Sequence, residues 1–172
     1  VLSGTINGEV KLWNKSGRLV RDFPGHKKSI IEVAFSPKGN YVISKSDDVT
    51  ILYTIDGDSL WSTPTTYNYA RYSFIVAGNS PATDVFEQYD RPIFSPDEKW
   101  VLTSASDSTA LAFNILNQQQ KLIPSTQKQN LHFSPNGKTL LSQEGDQILL
   151  FDQELELVSQ FQSPERRGKT LF

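Results

Sequence analysis

Glu32-Val33-Ala34-Phe35-Ser36-Pro37-Lys38-Gly39-Asn40-Tyr41 reads as a short apolar strand that stops at Phe-Ser-Pro and turns on glycine. The phrase returns twice, as Arg91-Pro92-Ile93-Phe94-Ser95-Pro96-Asp97-Glu98-Lys99-Trp100 and as Asn130-Leu131-His132-Phe133-Ser134-Pro135-Asn136-Gly137-Lys138-Thr139. Proline fixes φ and donates no backbone hydrogen bond, so it ends a strand. Gly, Asp or Asn beside it supplies turn conformations. A second apolar strand follows each turn: Tyr41 to Ser44, Trp100 to Thr103, Thr139 to Ser142. The phrase is a β-hairpin written three times.

Each hairpin is followed by a third run rich in apolar and β-branched residues: Val49 to Ile55, Thr109 to Ile115 and Gln147 to Asp152. Short acidic or small turns precede them, at Asp47-Asp48, Asp107-Ser108 and Gly145-Asp146. A weaker fourth run comes next, Ser59 to Ser62, Gln120 to Ile123 and Leu155 to Phe161. Four sequential antiparallel strands per unit make one blade of a β-propeller. The opening segment fits the same frame without a first strand: Val1 to Thr5, Val10 to Asn14, Leu19 to Phe23. The expected fold is therefore all-β, a propeller of four-stranded antiparallel blades with about four blades present.

The expected divisions are part of a blade over 1–29, blades over 30–66, 89–128 and 129–165, and an insertion over 67–88. Residues 166–172 begin a further blade or supply a closing strand. The insertion follows from spacing, because Phe94 and Phe133 are 39 residues apart whereas Phe35 and Phe94 are 59 apart. At about 40 residues per blade, a seven-bladed ring needs roughly 280 residues, so the expectation is an open fragment of a larger ring, with the remaining blades as partners. A closed four-bladed ring stays open as an alternative, with Thr170-Leu171-Phe172 as the returning strand. The chain opens as a strand, on Val1-Leu2-Ser3-Gly4-Thr5, and has no methionine. That reads as a fragment or a processed piece.

Composition narrows the function. Hydrophobic residues are 37%, charged residues 21%, and the net charge is −2. This balance lacks the basic bias of a nucleic-acid or membrane-surface protein. With no cysteine, disulfides, thiolate metal sites and a cysteine nucleophile are excluded. The longest apolar runs, such as Ile148 to Phe151, are too short to span a bilayer.

The repeats resemble WD repeats. Gly25-His26 precedes the first Phe-Ser-Pro hairpin, and Lys11-Leu12-Trp13-Asn14 resembles the family's Leu-Trp-Asp strand ending. Leu111-Ala112-Phe113-Asn114 and Leu149-Leu150-Phe151-Asp152 hold the same place with Phe for Trp. Their phrasing is bacterial in style. In that family a buried network joins a His, a Ser or Thr, an Asp and a Trp. The resemblance gives His26, Ser44 and Asp48 three of those places and puts the fourth on Thr54, so that no blade is expected to complete the network. Trp13, Phe113 and Phe151 are assigned the strand-end position, and Phe35, Phe94 and Phe133 are assigned to the core.

Weighed one by one, the remaining features carry little chemistry. His26 as a general base or metal ligand competes with His26 as a network member, and the network is the better reading. His132 lies inside a first strand and reads as a satisfied interior histidine. Asp56-Gly57-Asp58 is a turn without calcium-loop spacing. There is no Gly-x-Ser-x-Gly elbow and no phosphate-cradling glycine loop, so no catalytic, metal or cofactor-binding residue is expected. Glu165 to Lys169 is a short basic cluster that reads as a solvated loop. The insertion differs, because Tyr67, Tyr69, Arg71, Tyr72 and Phe74 fall within eight positions. Tyr and Arg are enriched at interfaces, so these five are the candidate partner-binding residues, with a packed rim hairpin as the other reading. The resemblance implies a non-catalytic protein-interaction scaffold within a larger bacterial, cytoplasmic protein. The alternative is a gating propeller attached to a hydrolase, as in prolyl-peptidase-like enzymes.

Overall fold

Each Phe-Ser-Pro phrase closes its hairpin by the same device. Ser36, Ser95 and Ser134 each donate their amide to the carbonyl of the residue five positions on, Tyr41, Trp100 and Thr139, where the next strand begins or is about to begin (2.8–3.0 Å). Their hydroxyls accept the amide of that same residue. The proline that follows has no amide to satisfy, so the strand ends there without loss. A computed structural model describes residues 1–65, 92–106, 109–124, 131–144 and 146–162 of the chain. Among them the backbone forms fifteen strands in four sheets.

The first sheet has three strands, β1 (Leu2–Gly4), β2 (Val10–Trp13) and β3 (Leu19–Asp22), in sequential order. The second holds β4 (Ile30–Phe35), β5 (Tyr41–Ser46), β6 (Val49–Thr54) and β7 (Ser59–Pro64). The third holds β8 (Ile93–Phe94), β9 (Trp100–Ser106), β10 (Thr109–Asn114) and β11 (Gln120–Pro124). The fourth holds β12 (Leu131–Phe133), β13 (Leu140–Glu144), β14 (Gln147–Phe151) and β15 (Leu157–Gln162). All pairings are antiparallel between consecutive strands. The expected four strands are present in three sheets and the expected three in the first, with strand ends moved by one to three residues.

The core lies between sheets. Successive residues of a strand point to opposite faces, so neighbours in sequence serve different interfaces. Val42 and Ile51 pack with Val10, Phe23 and Tyr53 between the first and second sheets. Ile43 and Leu52, one residue on, pack with Trp61, Val101, Phe113 and Ile115 between the second and third. Trp100, Leu102 and Ile123 meet Leu131, Leu140, Leu149 and Phe151 between the third and fourth. Burial on both faces is why the middle strands read as apolar runs rather than as alternations. Gly4 sits at a close approach, since a Cβ there would run into the side chain of Ile30 on the next sheet.

The three phrase phenylalanines do not share one environment. Phe94 and Phe133 are half-buried against the second and third interfaces. Phe35 is 43% exposed, which corrects its assignment to the core. It lies two residues beyond Val33, which packs against the first interface, so it faces the first sheet. Among the described residues that sheet begins at β1 and has no strand in the place that β4 and β8 hold in the second and third sheets. Phe35 thus lacks the cover that the second blade gives Phe94.

Candidate functional site

The polar side chains of the second blade converge on His26, in the connection between β3 and β4. Ser44 and Ser46 lie two apart on β5, hence on one face, and both are buried. His26 Nε2 lies 2.5 Å from the Ser44 hydroxyl and Nδ1 lies 2.9 Å from the Ser46 hydroxyl. Ser46 is also 2.7 Å from the Asp48 carboxylate. The expected trio of His26, Ser44 and Asp48 is brought together, but Ser46 stands between the ring and Asp48. Ser46 was missed in the sequence; its signal is the Ser-x-Ser spacing on one strand face.

The fourth place is Tyr53, not Thr54. A register shift between Leu52 and Tyr53 matches those between Leu12 and Trp13 and between Leu150 and Phe151. Such bulges re-aim the residue beside them. Tyr53 therefore occupies the place of Trp13 and Phe151. Tyr53 is fully buried, its hydroxyl donates to Pro24 O at 2.9 Å, and Ser44 is a further hydrogen-bond partner. The second blade thus completes a polar chain, with a phenol for the indole, and this corrects the expectation that none does. In the first blade Trp13 Nε1 donates to Ser3 at 2.8 Å, where Ser3 sits opposite Lys11 as Ser44 sits opposite Ile51.

Electrostatics follow from burial. Desolvation holds the His26 imidazole below the ordinary histidine range, against an opposing pull from Asp48. Burial raises the Tyr53 phenol, partly offset by its bond to Ser44. His26 is therefore neutral at physiological pH, and both its ring nitrogens are occupied by hydroxyls.

The other strand-end aromatics carry no polar atom. Phe113 is buried and stacks on Trp61 of the preceding blade, with centroids 4.7 Å apart and planes 11° apart. Phe151 is buried in the third interface. In that fourth blade Ser142, in the register place of Ser44, donates to Pro124 O at 2.9 Å. His132 is half-buried on β12. Among the described residues no three His, Asp or Glu side chains converge as a metal-ligand set. Tyr67, Tyr69, Arg71, Tyr72 and Phe74, with the rest of the insertion, lie outside the described residues, as do Asp107, Ser108, Gly145 and the stretch from Glu165 to Phe172.

Residues 17–53, which include Gly25-His26 and end on Tyr53, match the family model for the WD domain, G-beta repeat. The fold is similar to the β-propeller domain of Cps50 (Swd1) from Myceliophteria thermophila, with a TM-score of 0.61 at 16% identity. Residues 17–53 are thus similar to a WD repeat, and the fold is that of a β-propeller segment. The Cps50 likeness covers 98% of this chain and 52% of the other, so the chain spans about half of that domain. Among curated proteins it is 36% identical over 56 residues to the SIR4-interacting protein SIF2 of Saccharomyces cerevisiae. It is 39% identical over 51 residues to the nuclear distribution protein nudF of Aspergillus terreus. These stretches are 32% and 30% of this chain and 10% and 11% of the relatives. Both relatives are fungal, and the matches carry no information on a bacterial source.

Proposed function

We propose that this WD-repeat segment is a docking platform for a protein partner and performs no chemistry of its own. The observation that carries this reading is the state of His26. It is the strongest candidate base in the sequence, yet both ring nitrogens are bound to Ser44 and Ser46 inside the blade. Propellers of this family generally serve as interaction scaffolds. One relative is by its name a SIR4-interacting protein, which supports binding as the role of the repeat.

Recognition falls to loops, because strand residues hold the blades together. The insertion between β7 and β8 has the composition for it, with Tyr67, Tyr69, Arg71, Tyr72 and Phe74. A central aromatic or Arg contact is worth on the order of 2 kcal/mol or more. The test is a pull-down from host lysate with the full-length protein, wild type against a Tyr69→Ala, Arg71→Ala, Tyr72→Ala variant of unchanged melting temperature. We expect the variant to lose the bound partner. Equal recovery places the binding face elsewhere, and a hydrolase module on the same polypeptide would turn the reading toward a gating propeller. Placement in the cytoplasm belongs to the same proposal and is checked by fractionation.

A further inference from the structure

The three Phe-Ser-Pro turns share one backbone, but the second carries Glu98 where the others have glycine. Gly39, Glu98 and Gly137 each donate their amide to the carbonyl of the turn serine at 2.8–2.9 Å. All three have a left-handed backbone, with φ of 80°, 65° and 70°. That region is open to glycine and costly for a residue with a Cβ. Glu98 is also buried, at 4% exposure. A strained, buried carboxylate at a glycine position needs a compensating interaction.

The compensation comes from the preceding blade. The two Glu98 oxygens accept the Lys38 amide and the Asn40 side-chain amide, each at 2.7 Å. The Ser36 hydroxyl and the Asn40 amide add to the donor set. In return, the Lys38 ammonium donates to Asp97 O at 3.0 Å. Turn 36–40 of the second blade and turn 96–99 of the third thus hold each other by their polar atoms. Among the described residues β8 pairs with β9 at Ile93–Leu102 and Phe94–Val101.

We propose that Glu98 is an inter-blade latch: its ionised carboxylate, seated in the donors of turn 36–40, fixes the second blade against the third, and protonation releases it. The other charged groups on these turns are engaged elsewhere. Lys38 serves Asp97 O, the Asp97 carboxylate takes the Ser95 hydroxyl and the Lys99 amide, and the Lys99 ammonium pairs with Glu154. Burial works against the Glu98 charge, but the Ser36, Asn40 and Lys38 bonds outweigh it and hold the carboxyl below the ordinary glutamate range. Release therefore belongs to acid below that range.

The test reads the latch locally in the 172-residue chain, by amide exchange and chemical shift of Lys38 in NMR spectra. Glu98→Gly keeps the left-handed turn while removing the carboxylate. We expect the Lys38 amide to exchange at least tenfold faster in Glu98→Gly than in wild type. We also expect its shift to titrate in a single acid step in wild type and not in the variant. Since the chain has no cysteine, spin labels at Asp58→Cys and Asn117→Cys report the two blades cleanly. Their distance distribution should broaden in Glu98→Gly. Equal Lys38 exchange in the two proteins, or an unchanged distance width, overturns the latch. Should Glu98→Gly not fold, the wild-type titration decides alone: a Lys38 amide shift flat through the carboxyl range overturns the proposal.

Discussion

The second and third blades place opposite chemistry on the same backbone position. Tyr53 and Phe113 are each the last residue but one of a third strand, and both are no more than 2% exposed. Tyr53 belongs to a polar chain through Ser44, His26 and Ser46 to Asp48, and it binds the Pro24 carbonyl of the connection from the first blade. Phe113 carries no polar atom and stacks on Trp61 of the second blade. At this one position the second blade meets its predecessor through a hydrogen bond and the third through an aromatic stack. The shared backbone comes from the Ser-Pro turn and the pleat, so the polar network is one of two ways to fill the interface. Its net gain is limited, since each buried hydrogen bond replaces bonds to water, whereas the stack gains from area and contact.

The largest expected effect therefore lies in the apolar interface. Trp61→Ala should cost about 3–5 kcal/mol, the usual loss for a buried aromatic truncated to alanine. Chemical denaturation of the 172-residue chain measures it. A loss below about 1 kcal/mol would mean that the stack on Phe113 does not hold the two blades together.

The polar interface should be softer and should respond to pH. Tyr53→Phe removes the donor to Pro24 and costs about 1–3 kcal/mol, toward the lower end because Pro24 is exposed and water can replace the bond. His26 adds a sign. Burial lowers its folded pKa below the ordinary value, so the unfolded chain takes up a proton first as the pH falls. Stability must then decrease as the pH drops through the ordinary histidine range, and recover above it. Melting curves between pH 7.5 and 5.5 should show the wild type losing more than His26→Gln, whose amide can still bridge Ser44 and Ser46. Parallel curves for the two proteins would remove His26 from the account of pH sensitivity.

Much of the architecture was legible because each repeat states it locally. Phe-Ser-Pro followed by a turn residue marks a hairpin without reference to the rest of the chain, and three copies fix the period. The network was half legible. Gly25-His26 and Ser44 carry a pattern, but the aromatic place is Tyr53, two residues beyond the Ile51 that pairs with Ser44, and that pairing register is not written in the local sequence. Ser46 looks like any strand serine until its face is shared with Ser44. Contacts between blades were the least legible. Nothing local in Ser59-Leu60-Trp61-Ser62 names Phe113 as the partner of Trp61, and only the Glu at a glycine position hints at the bonds that Glu98 makes 60 residues away.

The smallest expected effect tests the comparison at its edge. Phe35 and Phe94 are the same residue in the same phrase, and a repeat-based reading gives them the same weight. Their surroundings differ, since Phe94 packs on the second blade while Phe35 faces a three-stranded sheet and stays 43% exposed. A side chain already in water loses little on truncation, so Phe35→Ala should cost less than about 1 kcal/mol, within the spread of surface substitutions. Phe94→Ala should cost clearly more, about 2–3 kcal/mol, short of the full value for an aromatic with no exposure. Denaturant midpoints of the two variants in one buffer give the difference directly, with equal slopes confirming that unfolding is comparable. The ordering is what matters. If Phe35→Ala costs as much as Phe94→Ala, then Phe35 is covered in solution by something that supplies the place of a first strand beside β1, and the phrase has one role in every blade. If the ordering holds, position in the ring rather than repeat sequence sets what each phenylalanine contributes.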